Sequence, residues 1–389
     1  MTVHVSMLSV GAVVMLTLLW ILLIYLPGKR DKVTQGDPNG CRSAAVGSRL
    51  LHSLSPSLPG PLSLPLLGNM LELAHDHLPS HLTSLARRYG NIYRLKCGNT
   101  TMVVLNSGDI IREALVKKWS DFAGRPHSYT GDVVSGGGRS ISLGDYSEEW
   151  RAHRRLAHNA LQRCSQQSLH GVIQKQALHL RQVLLDYNGR AVDLSEDFTY
   201  EKSSAELQRL HGCLNEIVSL WGSPWISALD SFPLLRKLPN PPFSRLLKEV
   251  ARRDEIIRTH LDEYRRPQLP GSAGPWPSYC TGLSIAGYFI TKNTVIIPNL
   301  FGAHHDPARF LEGGGASTRA LLPFGGGARL CLGEAVAKME LFLFTAYLLR
   351  DFQFVPAEGQ ASLPDLTGVA SVVLKAKAYT VIARPRPGP

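Results

Sequence analysis

Cysteine is scarce in this chain and acidic residues are outnumbered, and both shortages narrow what it can be. Six cysteines stand among 389 residues (Cys41, Cys97, Cys164, Cys213, Cys280 and Cys331), and none has the paired spacing of a zinc site. Their scatter fits a reducing compartment and argues against a disulfide framework. The 31 acidic residues face 42 basic ones, for a net charge of +11. Basic clusters fall at Lys117-Lys118, Arg151 to Arg155, Arg236-Lys237 and Arg252-Arg253. A solvated face accounts for them as well as an anionic membrane surface or an acidic protein partner does. Nucleic acid is set aside as a partner, because neither aromatic interleaving nor a binding motif accompanies the charge. No internal repeat is visible, which removes repeat architectures.

What is present begins with an apolar run. Met7 to Leu26 carries no charge over twenty residues, enough to span a hydrocarbon core as a helix. Pro27-Gly28 ends it, and Lys29, Arg30 and Lys32 follow. A cleaved signal peptide places its basic residues before the apolar run and closes it with small residues, and neither holds here. A signal anchor over residues 1–28 is the expectation, with the basic flank and the bulk of the chain on the cytosolic side. Residues 29–57 read as a linker. Leu58 to Asn69 is dense in proline, which stiffens a chain into extended structure.

Periodicity beyond that point predicts mostly helices. Leu82 to Tyr89, residues 146–187 and 203–221, Lys248 to Tyr264 and Glu334 to Phe352 have helical spacing. Ile92 to Leu95 and Met102 to Leu105 read as a hairpin turned at Gly98-Asn99, Thr294 to Ile297 as a short strand, and the stretch from Ala370 as a terminal strand pair. The fold class is therefore mainly α with small peripheral β-sheets.

One stretch carries chemistry. Phe324-Gly325-Gly326-Gly327-Ala328-Arg329-Leu330-Cys331-Leu332-Gly333 precedes a helical pattern. A helix N-terminus lowers a cysteine pKa and favours the metal-binding thiolate. Glycines let a backbone turn tightly and approach a flat ligand, and Arg329 can fork onto a carboxylate. A phosphate cradle is the competing reading, but such a loop wants a lysine and a hydroxyl after its last glycine, and Glu334 follows Gly333.

The same string fits Phe-x-x-Gly-x-Arg-x-Cys-x-Gly at every fixed position and so resembles the haem-ligand loop of the cytochrome P-450 monooxygenases. The resemblance implies the P-450 fold behind an N-terminal transmembrane helix, with haem b (iron protoporphyrin IX) held by Cys331 as axial thiolate. Phe324, Arg329 and Gly333 would belong to the cofactor site. Trp150 and Arg154 match the family's Trp-x-x-x-Arg helix, which contacts the haem propionates, and Arg125 lies on a segment that runs toward the haem edge in relatives. Leu58 to Asn69 resembles the hinge of microsomal members. Val116 to Pro126, Ser142 to Ser147 and Thr294 to Leu300 resemble the steroid 21-hydroxylase branch, whose substrates are progesterone and 17α-hydroxyprogesterone. Phe232 to Pro241 resembles the stretch whose arginine meets the steroid 3-keto oxygen, and Arg236 takes that position; a solvated basic residue beside Lys237 is the plainer reading. The resemblance also implies electrons from NADPH through NADPH–cytochrome P-450 reductase, and a single-pass anchor in the endoplasmic reticulum membrane.

The chain departs from the family as well. The Ala/Gly-Gly-x-Asp/Glu-Thr string of the central helix, whose acid and hydroxyl deliver protons, occurs nowhere in the sequence, so no catalytic residue of that kind is named. The Glu-x-x-Arg helix falls in the same gap; Glu263-Tyr264-Arg265-Arg266 has its letters but continues a preceding helix. Relative to the family, residues 69–389 read as a haem domain with internal losses around 199–220, 262–283 and 307–309. Three functions stay open: C21 hydroxylation of progestins, a catalytically silent chain that keeps haem, steroid or reductase affinity, and a P-450 of other steroid or xenobiotic specificity.

Overall fold

The computed structural model describes residues 57–65, 67–98, 100–164, 169–193, 205–264, 283–307, 321–357, 368–369 and 374–387. All lie in the second of two units of the chain, Ser55–Pro389. The expected anchor, Met7 to Leu26, falls outside the described residues. Among the described residues, no helix is long and apolar enough to cross a membrane.

Two short strands and a helix make the first packed layer. Helix α1 (Leu78–Tyr89) starts where the His77 ring accepts from the Ser80 amide at 3.3 Å, and it stops at Gly90, whose φ of 94° no ordinary residue favours. Strands β1 (Ile92–Cys97) and β2 (Thr100–Leu105) form the expected antiparallel hairpin in the register Ile92 to Leu105. Alternation sends successive side chains to opposite faces. Tyr93, Leu95 and Val104 meet Leu82 and Leu85 of α1, whereas Ile92, Val103 and Leu105 face a second cluster with Ile111, Ile285 and Ala303. Burying each such side chain contributes about 1.5–3 kcal/mol, so this sheet anchors the amino-terminal half. The Tyr93 hydroxyl donates to the Leu82 carbonyl at 2.9 Å, which satisfies its buried oxygen.

The proline-rich run lies alongside β1. The Arg94 amide donates to the Pro59 carbonyl at 2.8 Å, and a Cβ on Gly60 would stand 2.2 Å from the Arg94 carbonyl oxygen. The prolines thus give a straight segment, and the glycine lets it come close.

Next come α2 (Gly108–Arg112), α3 (Tyr129–Ser135), α4 (Glu148–Cys164), α5 (His170–Asp186) and β3 (Ala191–Asp193). Helices α6 (Ala205–Trp221), α7 (Pro224–Ser231) and α8 (Pro241–Tyr264) share a core of Cys213, Ile217, Ile226, Leu246 and Val250. Helix α8 begins seven residues before the expected Lys248, because Pro241 and Pro242 suit a first helical turn. Glu263 and Tyr264 lie on its last turn, as a continuation of that helix, while Arg265 and Arg266 are outside the described residues.

Strands β4 (Leu283–Ile285) and β5 (Tyr288–Ile290) form a hairpin, and β6 (Val295–Pro298) joins β2 in parallel. Short helix α9 (Leu300–His304) precedes the Phe324 loop, and α10 (Glu334–Asp351) follows it. Strands β7 (Phe352–Pro356) and β8 (Thr380–Pro385) pair antiparallel, and β3 completes a sheet in the order β3-β8-β7. In place of the strand pair expected after Ala370, the described residues form one strand, β8, whose partner β7 comes directly off α10; an isolated bridge, Val369 to Lys375, is the other pairing described there. Arg181 on α5 meets Asp351 at 2.5 Å and Gln174 donates to the Tyr347 hydroxyl at 2.8 Å, which fixes α5 against α10.

Candidate cofactor site

The Phe324 loop closes on itself through its backbone. The Gly325 amide donates to the Leu322 carbonyl at 3.0 Å, and the Cys331 amide donates to the Phe324 carbonyl at 3.0 Å. Gly325 (φ 75°) and Gly327 (φ 63°) occupy the left-handed region. A Cβ on Gly327 would lie 2.2 Å from the Leu115 carbonyl oxygen and 2.5 Å from the Trp119 Cβ, so only glycine lets the loop seat on that segment. Gly333 caps α10. Cys331 therefore stands two residues before a helix N-terminus with its thiol exposed. Lys338, one turn into α10, lies 5.7 Å from the Phe324 ring centroid.

Helix α4 brings the next two groups. Ser147 accepts from the Trp150 amide at 3.1 Å, which starts the helix and sets Trp150 in its first turn. Trp150 is buried, and its indole N–H donates to the Ile141 carbonyl at 2.8 Å. One turn later, Arg154 donates to the Leu330 carbonyl, beside Cys331. Its Cζ lies 5.4 Å from the Trp150 ring centroid, and that of Arg329 lies 4.0 Å from it. The indole is thus a platform for two guanidinium groups.

Arg329 is held by three carbonyls, from Ala123 at 2.7 Å, Gly144 at 2.9 Å and Ile141 at 3.4 Å. Arg125 donates through Nε to the Ser142 carbonyl at 3.1 Å, and its amide donates to Asp145 Oδ1 at 2.9 Å. Burial, followed by the charges of Arg125 and Arg154, pulls the Arg329 pKa down to about 10, with Asp145 opposing. Arg154 is lowered by burial and raised by the nearby Cys331 sulfur; Arg125 is lowered by burial. Among the described residues, none of the three arginines makes a salt bridge. Three crowded guanidiniums whose acceptors are carbonyls form a donor set suited to an anionic, carboxylate-bearing ligand.

The expected residues Arg125, Trp150, Arg154, Phe324, Arg329, Cys331 and Gly333 thus come together from segments two hundred residues apart. Sequence reasoning missed the Leu115–Trp119 seat and Asp145, although Asp145 lies two residues before the Ser147 cap. Arg236 sits apart, in the turn Pro233–Lys237. It is exposed, donates to the Leu229 carbonyl at 2.9 Å and covers the Tyr129 ring at 4.4 Å. Nearby, Thr130 donates to Asp230 at 2.6 Å and accepts from Trp221 at 3.0 Å, which ties α3 to α6 and α7. A cavity of about 490 Å³, lined by Asp109, Ile110, Arg112, Glu113 and Lys117, meets the Leu115–Trp119 seat at Lys117 and shares no residue with the arginine cluster or the Arg236 turn.

Comparison with known proteins follows the same lines. The family model described as Cytochrome P450 matches residues 58–271 and 279–383. Steroid 21-hydroxylase of Homo sapiens is 28% identical over 457 aligned positions, which cover 83% of this chain and 92% of that protein. Steroid 17-alpha-hydroxylase/17,20 lyase of Oryzias latipes is 28% identical over 482 positions, covering 86% and 92%. Both alignments are longer than the 389 residues of this chain, so the relatives carry residues that it lacks. A solved zebra fish cytochrome P450 with progesterone superposes with a TM-score of 0.65 at 24% identity, over 79% of this chain and 99% of that one.

Proposed function

Given that this chain belongs to the cytochrome P450 family of haem-thiolate monooxygenases, we propose that it is a steroid hydroxylase directed at C21 of progesterone and 17α-hydroxyprogesterone. The observation that carries the cofactor half of this reading is the joining of Cys331 to the arginine cluster through Arg154 and the Leu330 carbonyl. Cys331 would hold the haem iron as a thiolate, and bound haem would supply oxygen-activation chemistry favoured by that electron-rich ligand. Arg125, Arg154 and Arg329 would hold the propionates. Trp150, its own N–H taken by Ile141, would set the planes of the two guanidiniums stacked on it. Gly325 and Gly327, both in the left-handed region, would let the loop turn tightly before Cys331.

The C21 assignment is supported by the names of relatives at 28% identity and by the strings around Val116–Pro126 and Ser142–Ser147. Arg236, with its Nε engaged on Leu229, would present the rest of its fork to the steroid 3-keto oxygen. One charge-assisted bond at the far end of a rigid apolar ligand sets its orientation. Electrons would come from NADPH through the reductase, whose acidic surface suits a chain of net charge +11. Met7 to Leu26 would anchor it in the endoplasmic reticulum membrane with this unit in the cytosol.

A second reading is favoured by a specific observation. The central proton-delivery string is missing from the sequence, and the family match breaks between residues 271 and 279. On that reading the chain binds haem and steroid but does not turn over. The two readings part when the full chain is incubated with reductase, NADPH and progesterone and the products are read by mass spectrometry. 11-Deoxycorticosterone supports the hydroxylase. A steroid-induced spin shift without product supports the silent binder, and hydroxylation at another carbon overturns the C21 assignment.

A further inference from the structure

The arginine cluster has one carboxylate beside it, and its contacts suggest a defined task. Asp145 Oδ1 accepts from the Arg125 amide at 2.9 Å and from the Tyr146 amide at 2.8 Å. It sits in the loop whose carbonyls, from Ile141, Ser142 and Gly144, receive Arg329 and Arg125. Gly124 leaves room for it, since a Cβ there would come within 3.3 Å of the same oxygen. Its charge opposes those of Arg125 and Arg154 at Arg329. Three guanidinium charges less one carboxylate leave +2. That equals the opposite of the charge on a porphyrin with two ionised propionates.

We propose that Asp145 is a positioning residue that trims the cluster to a charge matched to a dicarboxylate ligand while tying the Arg125 segment to the loop before α4. The proposal rests on the reading of the cluster as the propionate site. A fixed counter-charge keeps three guanidiniums from repelling one another apart before the ligand arrives, and it makes the pocket complementary to a dianion rather than to any anion. Both amides use the same oxygen, Oδ1, so an asparagine at this position keeps the two hydrogen bonds and removes only the charge.

The test uses the full-length chain, free of haem, titrated with metal-free protoporphyrin IX and with its uncharged dimethyl ester, followed by porphyrin fluorescence. Wild-type chain is expected to bind the diacid at least tenfold more tightly than the ester. Asp145→Asn should widen that ratio about threefold, a modest effect because a charge interaction at an exposed site contributes up to ~1 kcal/mol. It should also steepen the decline of diacid affinity with salt, and Asp145→Glu should restore the wild-type ratio. An unchanged or narrowed ratio in Asp145→Asn, in protein whose near-ultraviolet circular dichroism matches wild type, overturns the proposal. Equal wild-type affinity for diacid and ester overturns it together with the propionate reading. The ester comparison involves no iron, so loss of thiolate ligation in the iron-loaded chain with the diacid preference intact sinks the Cys331 assignment and leaves Asp145 standing.

Discussion

The β1-β2-β6 sheet and helix α10 are both apolar, yet one is covered and the other is largely bare. Tyr93, Leu95, Val104 and Leu105 are wholly buried, with clusters on both faces of the sheet. In α10, Leu343 and Leu348 are buried, Leu348 in a cluster with Leu180 and Leu184 of α5, whereas Leu341, Phe342 and Leu349 are 65%, 71% and 53% exposed. A helix with apolar residues on every side is one written to be enclosed. The relatives align over more positions than this chain possesses, and the family match lapses between residues 271 and 279, before α10 in sequence. Among the described residues the sheet is thus enclosed on both faces, and α10 carries large apolar side chains open to solvent.

Substitutions can break or sharpen that contrast. The largest effect is expected at Tyr93→Ala, which empties a fully enclosed site and leaves the Leu82 carbonyl without its donor. A loss of about 3–5 kcal/mol in denaturant-induced unfolding is the expectation. Phe342→Ser on α10 should cost less than about 0.5 kcal/mol, because no cover is lost; a loss near that of Tyr93→Ala would mean that something encloses the helix, and the contrast would dissolve.

Between these extremes lies Arg329→Lys. Lysine keeps the charge but not the three-carbonyl fork, so about 1–3 kcal/mol of stability should go, read as a lowered Tm. A pH dependence tests the covered side of α10. The guanidinium of Arg350, then that of Arg181, draws the Asp351 pKa down from 3.8 to about 2. A carboxylate depressed on folding stabilises the native state above its unfolded pKa and stops doing so as pH falls through its folded one. The α5–α10 contact should therefore be insensitive to pH above about 4 and weaken between about 4 and 2, and Asp351→Asn should flatten that part of an acid titration followed by tyrosine fluorescence.

Much of this was legible in the sequence, for reasons that differ by element. The hairpin showed itself through β-branched residues around Gly98, and α10 through its spacing from Val336 to Tyr347. The candidate loop stood out in the sequence because Phe324, Gly327, Arg329, Cys331 and Gly333 occur at fixed intervals in it. What was not legible depends on contacts between distant segments. The Leu115–Trp119 seat is visible only once Gly327 lies on it, and the Trp150 N–H pairs with Ile141 nine residues earlier in the chain. The strand after Ala370 was misjudged because its partner, Phe352 to Pro356, looks in sequence like the tail of a helix. Of the third expected loss, around 307–309, Ala308 and Arg309 lie outside the described residues.

The account stands on Cys331 as the ligand of a haem iron. Its most direct test is the carbon monoxide difference spectrum of the reduced, haem-loaded full chain beside that of Cys331→His. The native chain should show the long-wavelength band of a thiolate-ligated haem, and the histidine variant should move it to the shorter wavelength of nitrogen ligation. A native band already at the nitrogen position with haem fully bound, or a band that the substitution leaves in place, contradicts the account.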